Sequence, residues 1–207
     1  MQSPGYLFIF EGPDGAGKST LAEALHSRLK ERGVQCEAFS FPGKDVGTLG
    51  GLVNRLHHNS AAYGIPSINP VSVQVLHIAA HVDAIVGRIK PTLQSGTIVI
   101  LDRFWWSTWV YGKASGVSDA ALTGMLDVEF DAWGDIMPTV AFLIEGIAPK
   151  RTGEPIDKWN TRAELYRELA SHEAQRYPVE YISNEGNIEK SLEQVWDVVQ
   201  NFVTTKD

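Results

Sequence analysis

Residues 12–19 read Gly-Pro-Asp-Gly-Ala-Gly-Lys-Ser. They fit GxxxxGK[ST] at every fixed position and lie between a short apolar run, Tyr6 to Glu11, and a helical pattern that opens at Lys18. A loop of this kind holds phosphate. Gly15 and Gly17 allow backbone angles that turn successive N–H groups toward phosphate oxygens, and the following helix adds the partial positive charge of its N-terminus. Lys18 would reach the β- and γ-phosphates, and the Ser19 hydroxyl would ligate Mg²⁺. The candidate site for the phosphates of ATP is thus Gly12, Pro13, Asp14, Gly15, Ala16, Gly17, Lys18, Ser19 and Thr20.

A second pair of chemical groups ends the run Thr97 to Arg103, TIVILDR. In open α/β sheets, ligands bind at the carboxyl ends of strands. Asp102 would therefore emerge beside the phosphate loop and hold Mg²⁺ or its waters. Arg103, one residue further, would aim at a second phosphate. An ATPase would carry Asp-Glu here, with the Glu polarising a water. A GTPase would carry an NKxD base reader, and none is present. An arginine points instead to a phosphorylated acceptor.

These residues need a scaffold, and the hydrophobic pattern supplies one. Strands are expected at Tyr6–Glu11, 34–41, Thr97–Leu101, Thr139–Ile144 and Val179–Ser183. Between them lie helical stretches: one from Lys18 to Arg32 stopped by Gly33, one opened by Asn69-Pro70, one from about Asp119 to Trp133, and an amphipathic one through Ile188, Leu192, Val195, Trp196 and Val199. The helix after Asn69-Pro70 should bury a stripe of Val71, Val75, Ile78, Val82, Ile85 and Ile89. Such alternation implies right-handed crossovers and a five-stranded parallel sheet flanked by helices on both faces, the α/β P-loop NTPase class. One domain spanning 1–207 is expected, with a mobile loop at 146–159.

Composition narrows the setting. The 207 residues are 43% hydrophobic, enough for one core. Lys and Arg number 18 against 25 Asp and Glu, a net charge of −7 that disfavours broad nucleic-acid binding. The lone cysteine, Cys36, excludes an internal disulfide framework and suits a reducing, cytoplasmic compartment. No unbroken apolar run approaches a membrane span, and the first residues lack the pattern of a secretory signal.

With these residues in hand, the chain resembles the thymidylate kinase family of nucleoside monophosphate kinases over nearly its whole length. The resemblance rests on FEGPDGAGKST at 10–20, FPG at 41–43, AAHVDAIVGRIKPTLQSG at 79–96, LDRFWWSTWVYG at 101–112, and LIE followed by RTGEPIDKW. The spacing of Asp-Arg, Ser107 and Tyr111 is its most specific part. The resemblance implies transfer of the γ-phosphoryl of ATP to a deoxynucleoside monophosphate, with dTMP first among acceptors, and a homodimer. It implies that Asp14 meets the sugar 3′-hydroxyl and that Arg103 grips the acceptor phosphate. By the same resemblance Phe41-Pro42 approaches the acceptor, Lys44 stands in for an arginine usual nearby, Thr108 meets the base, and Tyr111 lies under the sugar. The family places catalytic arginines in the lid when the loop carries an acid. Lys150, Arg151 and Lys158 are available, and Arg151 is the first choice because it is always charged and forked.

Two positions depart from the family. Its stacking Phe and base-contacting Arg align with His77 and His81, which fall at i and i+4 on what reads as the polar face of the helix. An altered base pocket, ordinary polar-face residues and a zinc pair lacking a third ligand are the readings open. A kinase of a different or modified nucleotide, a nucleoside kinase and a kinase-derived regulatory protein also stay open. Trp105, Trp106 and Trp109 suggest core or dimer packing or a reshaped pocket, and His57, His58 and His172 suggest solvated surface.

Overall fold

A computed structural model describes residues 4–146 and 155–203. Five strands, β1 (Leu7–Glu11), β2 (Cys36–Ser40), β3 (Ile98–Asp102), β4 (Val140–Gly146) and β5 (Val179–Asn184), form one sheet in the order β2-β3-β1-β4-β5. Every pairing is parallel. β1 lies at the centre with all five residues buried. Its side chains alternate between two cores, as the period of two in a strand demands. Leu7 and Ile9 join one cluster with Ile78, Leu101, Trp106, Leu126 and Tyr166. Phe8 and Phe10 join the other with Leu21, Leu25, Ile100, Phe142 and Val195.

The second cluster is covered by α1 (Lys18–Glu31) and α8 (Ile188–Val199). The first is covered by α3 (Pro70–Ala84), α5 (Trp105–Ala114), α6 (Asp119–Trp133) and α7 (Ile156–Glu173). α2 (Leu49–His58) packs on α3. The expected caps are in place. Asn69 Oδ1 accepts from Val71 N at 2.9 Å, and Ser118 Oγ accepts from Ala121 N at 3.3 Å. Gly33 adopts φ 72° just past α1.

Three expectations need revision. α3 continues through a π-helical turn, Ile85–Ile89, into α4 (Lys90–Gln94), so Pro70–Gln94 forms a 25-residue helix containing an 18-residue stretch of mean hydropathy 1.3, long and apolar enough by that measure alone to cross a membrane. The expectation from unbroken apolar runs overlooked it because His77, His81 and Asp83 interrupt the run without lowering its average enough. Its apolar stripe also splits: Ile78, Ile85 and Ile89 are buried, whereas Val71 and Val75 are exposed. Finally, both ends of the loop expected at 146–159 belong to regular elements. Gly146 ends β4 and Ile156–Trp159 is the first turn of α7; Lys150 and Arg151 lie outside the described residues.

Candidate active site

The phosphate loop turns as its glycines allow, with Gly12, Gly15 and Gly17 at φ 140°, 79° and 103°. Gly17 is also a matter of space. A Cβ there would stand 2.2 Å from Asn184 Nδ2, which donates to Ala16 O at 2.6 Å. Asn184, at the end of β5, thus holds the loop from behind. Lys18 is buried and donates to Pro13 O at 2.9 Å. Burial, followed by the nearby Arg103 charge, lowers its ammonium to about 7.

Ser19 Oγ donates to Asp102 Oδ2 at 2.5 Å. Asp102 Oδ1 is buried without a hydrogen-bond partner. A hydroxyl and a carboxylate with an oxygen to spare are the hard donors Mg²⁺ takes, alongside substrate phosphates.

Arg103 is the one non-glycine residue at positive φ among those described, at 75°, a backbone state that persists only where surroundings enforce it. Its own N–H donates to Phe10 O at 2.9 Å. Glu11 holds the turn that follows. Its Oε1 accepts from Phe104 N at 2.7 Å and Ser107 N at 3.0 Å, and its Oε2 accepts from Ser107 Oγ at 2.7 Å. α5 has no side-chain cap of its own, so a carboxylate from β1 caps it. Burial raises that carboxyl to about 7, with Arg103 pulling the other way. Ser107 Oγ gives its proton to Glu11. It accepts from Arg103 Nη1 at 2.9 Å and lies 2.8 Å from the Tyr166 hydroxyl. Arg103 Nη2 donates to Asp14 Oδ1.

Tyr111 lies beneath this pair. Its hydroxyl accepts from Asp14 N at 3.2 Å, and Arg103 and Arg162 both face its ring, 5.4 and 4.7 Å from the centroid. Burial pushes its phenol up to about 12. Trp159 Nε1 donates to Asp14 O at 2.8 Å. Trp159 and Arg162, one turn apart on α7, are site residues that the sequence reading missed. The helix start after Pro155 was the available signal.

These groups open into one cavity of about 440 Å³. Asp14, Lys18, Ser19, Asp102 and Arg103 line it on the phosphate-loop side, and Phe41, Gln74, His77, His81 and Thr108 line it on the side of α3 and α5. Pro42, after a cis peptide bond from Phe41, and the exposed Lys44 stand at its edge. Thr108 Oγ1 is buried without a partner. The described site residues named from the sequence are therefore brought together; Arg151 lies outside the described residues.

The histidines need correction. His81 is not on a solvated polar face: it is 2% exposed, its Nδ1 is 2.9 Å from Glu129 Oε2, and its ring stacks on Phe41 at 4.0 Å. α6 supplies Glu129 to cover that side of α3, which a pattern read along one helix does not reveal. His77 is half-buried, with Nε2 3.0 Å from His57 Nδ1, and burial lowers it to about 3. His57 and His58 are exposed but stand at the cavity edge. No cluster of three or more metal-ligating side chains occurs among the described residues. Trp105 and Trp106 are core residues; Trp106 Nε1 donates to the Tyr177 hydroxyl at 2.9 Å.

A parallel sheet with a phosphate loop after its central strand, an Asp-Arg pair at the end of the neighbouring strand and one cavity running from that loop toward α3 and α5 define the P-loop nucleotide-binding class. The thymidylate kinase family model matches residues 10–197. The thymidylate kinase of Chlamydia caviae is 32% identical over 91% of this chain and 94% of its own, and that of Bartonella quintana 29% identical over 96% and 97%. The thymidylate kinase structure from Ehrlichia chaffeensis shares the fold with a TM-score of 0.76, at 23% identity, over 95% of this chain and 100% of its own. The chain belongs to the thymidylate kinase family. It is an ATP-dependent nucleoside monophosphate kinase.

Proposed function

We propose that the chain phosphorylates dTMP to dTDP, with the following division of labour. The observation that carries this reading is the meeting of Asp14, Arg103 and Tyr111 beside Lys18 in one cavity. Arg103 forks onto the acceptor phosphate, Asp14 takes the sugar 3′-hydroxyl, and Tyr111 lies under the ring. A phosphate monoester is already largely ionised near neutral pH, so its oxygen attacks the γ-phosphorus without a general base. The protein's task is alignment and charge stabilisation. Lys18 balances charge on the transferred group, and Arg151, from the segment between β4 and α7, is the second cation that serves it. Mg²⁺ bound at Ser19 and Asp102 would supply positive charge to the β- and γ-oxygens.

The base end is formed by Thr108, His77 and His81, Phe41-Pro42 lies against the acceptor, and Lys44 serves the phosphate. The whole chain acts as one kinase domain in the cytoplasm, on small nucleotides. It pairs as a homodimer through the apolar side chains exposed on the long helix, Val71, Val75 and Val86. The kinase-derived regulatory protein and the nucleoside kinase are disfavoured by the family match together with the retained Lys18, Ser19, Asp102 and Arg103.

A coupled ADP-release assay over dTMP, dUMP, dCMP, dGMP, dAMP and the ribonucleotides tests the reading. The highest kcat/KM is expected on dTMP; a clear preference for another nucleotide, or turnover on none, would overturn it.

A further inference from the structure

Two peptide units of the phosphate loop, 14–15 and 16–17, each end in a glycine at positive φ, 79° at Gly15 and 103° at Gly17. A peptide plane turns over when ψ of the residue before it and φ of the residue after it change together, and glycine takes either sign of φ at little cost. The glycines that let the loop curl round a phosphate therefore leave open which edge of each peptide meets it. One edge offers an N–H donor. The other offers a carbonyl oxygen, which repels an anion.

Two side chains from outside the loop make the choice. Trp159 Nε1, in the first turn of α7, donates to Asp14 O at 2.8 Å, and Asn184 Nδ2, at the end of β5, donates to Ala16 O at 2.6 Å. Both side chains are buried and neither lines the substrate cavity. Trp159 lines a separate small recess with Pro13, Leu143 and Gly146. Asn184 is held in turn: its Oδ1 accepts from Gly186 N and Ser191 Oγ, each at 3.4 Å, so its amide presents nitrogen to the loop. Both loop peptides are trans, and across a trans peptide the carbonyl and the N–H point in opposite directions. With the two carbonyls drawn to the back of the loop, the N–H groups of Gly15 and Gly17 turn toward the cavity that both glycines line. An indole N–H and a carboxamide N–H are donors with no titration of their own, so the arrangement is independent of protonation state.

We propose that Trp159 and Asn184 are positioning residues for phosphoryl transfer, each pinning one carbonyl of the phosphate loop so that the N–H of the following glycine is preset to receive a phosphate oxygen. Neither touches the nucleotide. They act through the peptides 14–15 and 16–17, removing the wrong peptide orientation before a triphosphate arrives and so lowering the cost of binding it. Because one comes from α7 and the other from β5, the two donors are set separately. The proposal rests on the reading of residues 12–20 as the phosphate cradle.

The test uses the full chain, with Mg²⁺-tripolyphosphate as the probe so that contacts to a base or sugar do not enter. Trp159→Phe keeps an aromatic ring and removes the N–H donor. In ¹⁵N relaxation dispersion of the free protein it should bring exchange broadening to Gly15 and leave Gly17 sharp, and Asn184→Ala should do the reverse. Lost packing alone gives no such crossed pattern. In equilibrium titrations each variant should bind tripolyphosphate about tenfold more weakly than wild type, the worth of one hydrogen bond. Absence of the crossed pattern, or wild-type affinity in both variants, would overturn the proposal. Should Asn184→Ala fail to fold, Trp159→Phe decides through Gly15 and its affinity. A wild type that binds no tripolyphosphate would remove the cradle itself, whereas a wild type that binds it no better than both variants would remove the positioning role alone.

Discussion

Arg103 and Asp14, 89 residues apart in sequence, are bonded to each other inside the acceptor cavity. The bond ties the phosphate loop to the end of β3, so the two groups assigned to opposite ends of the acceptor's sugar phosphate are already oriented by one another. Ser107 and Tyr111 hold the guanidinium from its other sides, through a 2.9 Å hydrogen bond and a ring 5.4 Å away.

Arg103→Ala should therefore act on the acceptor and spare ATP. Losing a charge-assisted fork costs about 2–3 kcal/mol, roughly 30- to 150-fold in acceptor kcat/KM. Steady-state kinetics with each substrate varied in turn checks this. An equal rise in both KM values would contradict the assignment.

Lys18→Ala should lower kcat by roughly 10²-fold or more, since it removes a fixed charge from the transferred group. Circular dichroism should show an intact fold. Turnover near the wild-type rate would remove the loop from the mechanism.

Ser107→Ala reads the shell beneath Arg103. It leaves Glu11 Oε2 and the Tyr166 hydroxyl, both buried, short of a partner, at a cost of about 1–3 kcal/mol in stability. Urea unfolding measures the loss. A variant as stable as wild type would show that the network is not closed as described.

The elements that place these groups were legible because strands and helices announce themselves locally. The strand before Gly12, the Asn69-Pro70 start and the Asp-Arg at the end of β3 all follow from periodicity and capping. What was not legible depends on chain segments meeting far apart in sequence. Glu11 reads as the last residue of a buried strand, yet it caps α5 some 90 residues later. Glu129 reads as one more charge on an amphipathic helix until it meets His81. Val71 and Val75 belong to the apolar pattern of α3 but remain exposed in the single chain. Patterns register apolar character without saying which neighbour will cover it.

His77 gives a pH dependence of stability with a definite sign. Burial lowers its imidazole from 6.5 to about 3, so the unfolded chain binds a proton that the folded chain refuses. The stabilisation is complete above about 6.5 and is lost as pH falls toward 3. Unfolding free energies measured at pH 7.5, 6 and 5 should fall less steeply in His77→Gln than in wild type. Parallel slopes would show that His77 titrates alike in both states.

The enzyme transfers the phosphoryl group to a nucleotide and not to water. ³¹P NMR of the chain with ATP, Mg²⁺ and dTMP reads both fates at once. dTDP and ADP should appear in equal amounts, with no matching release of inorganic phosphate. ADP accompanied by inorganic phosphate, or no ADP with dTMP present, would contradict it.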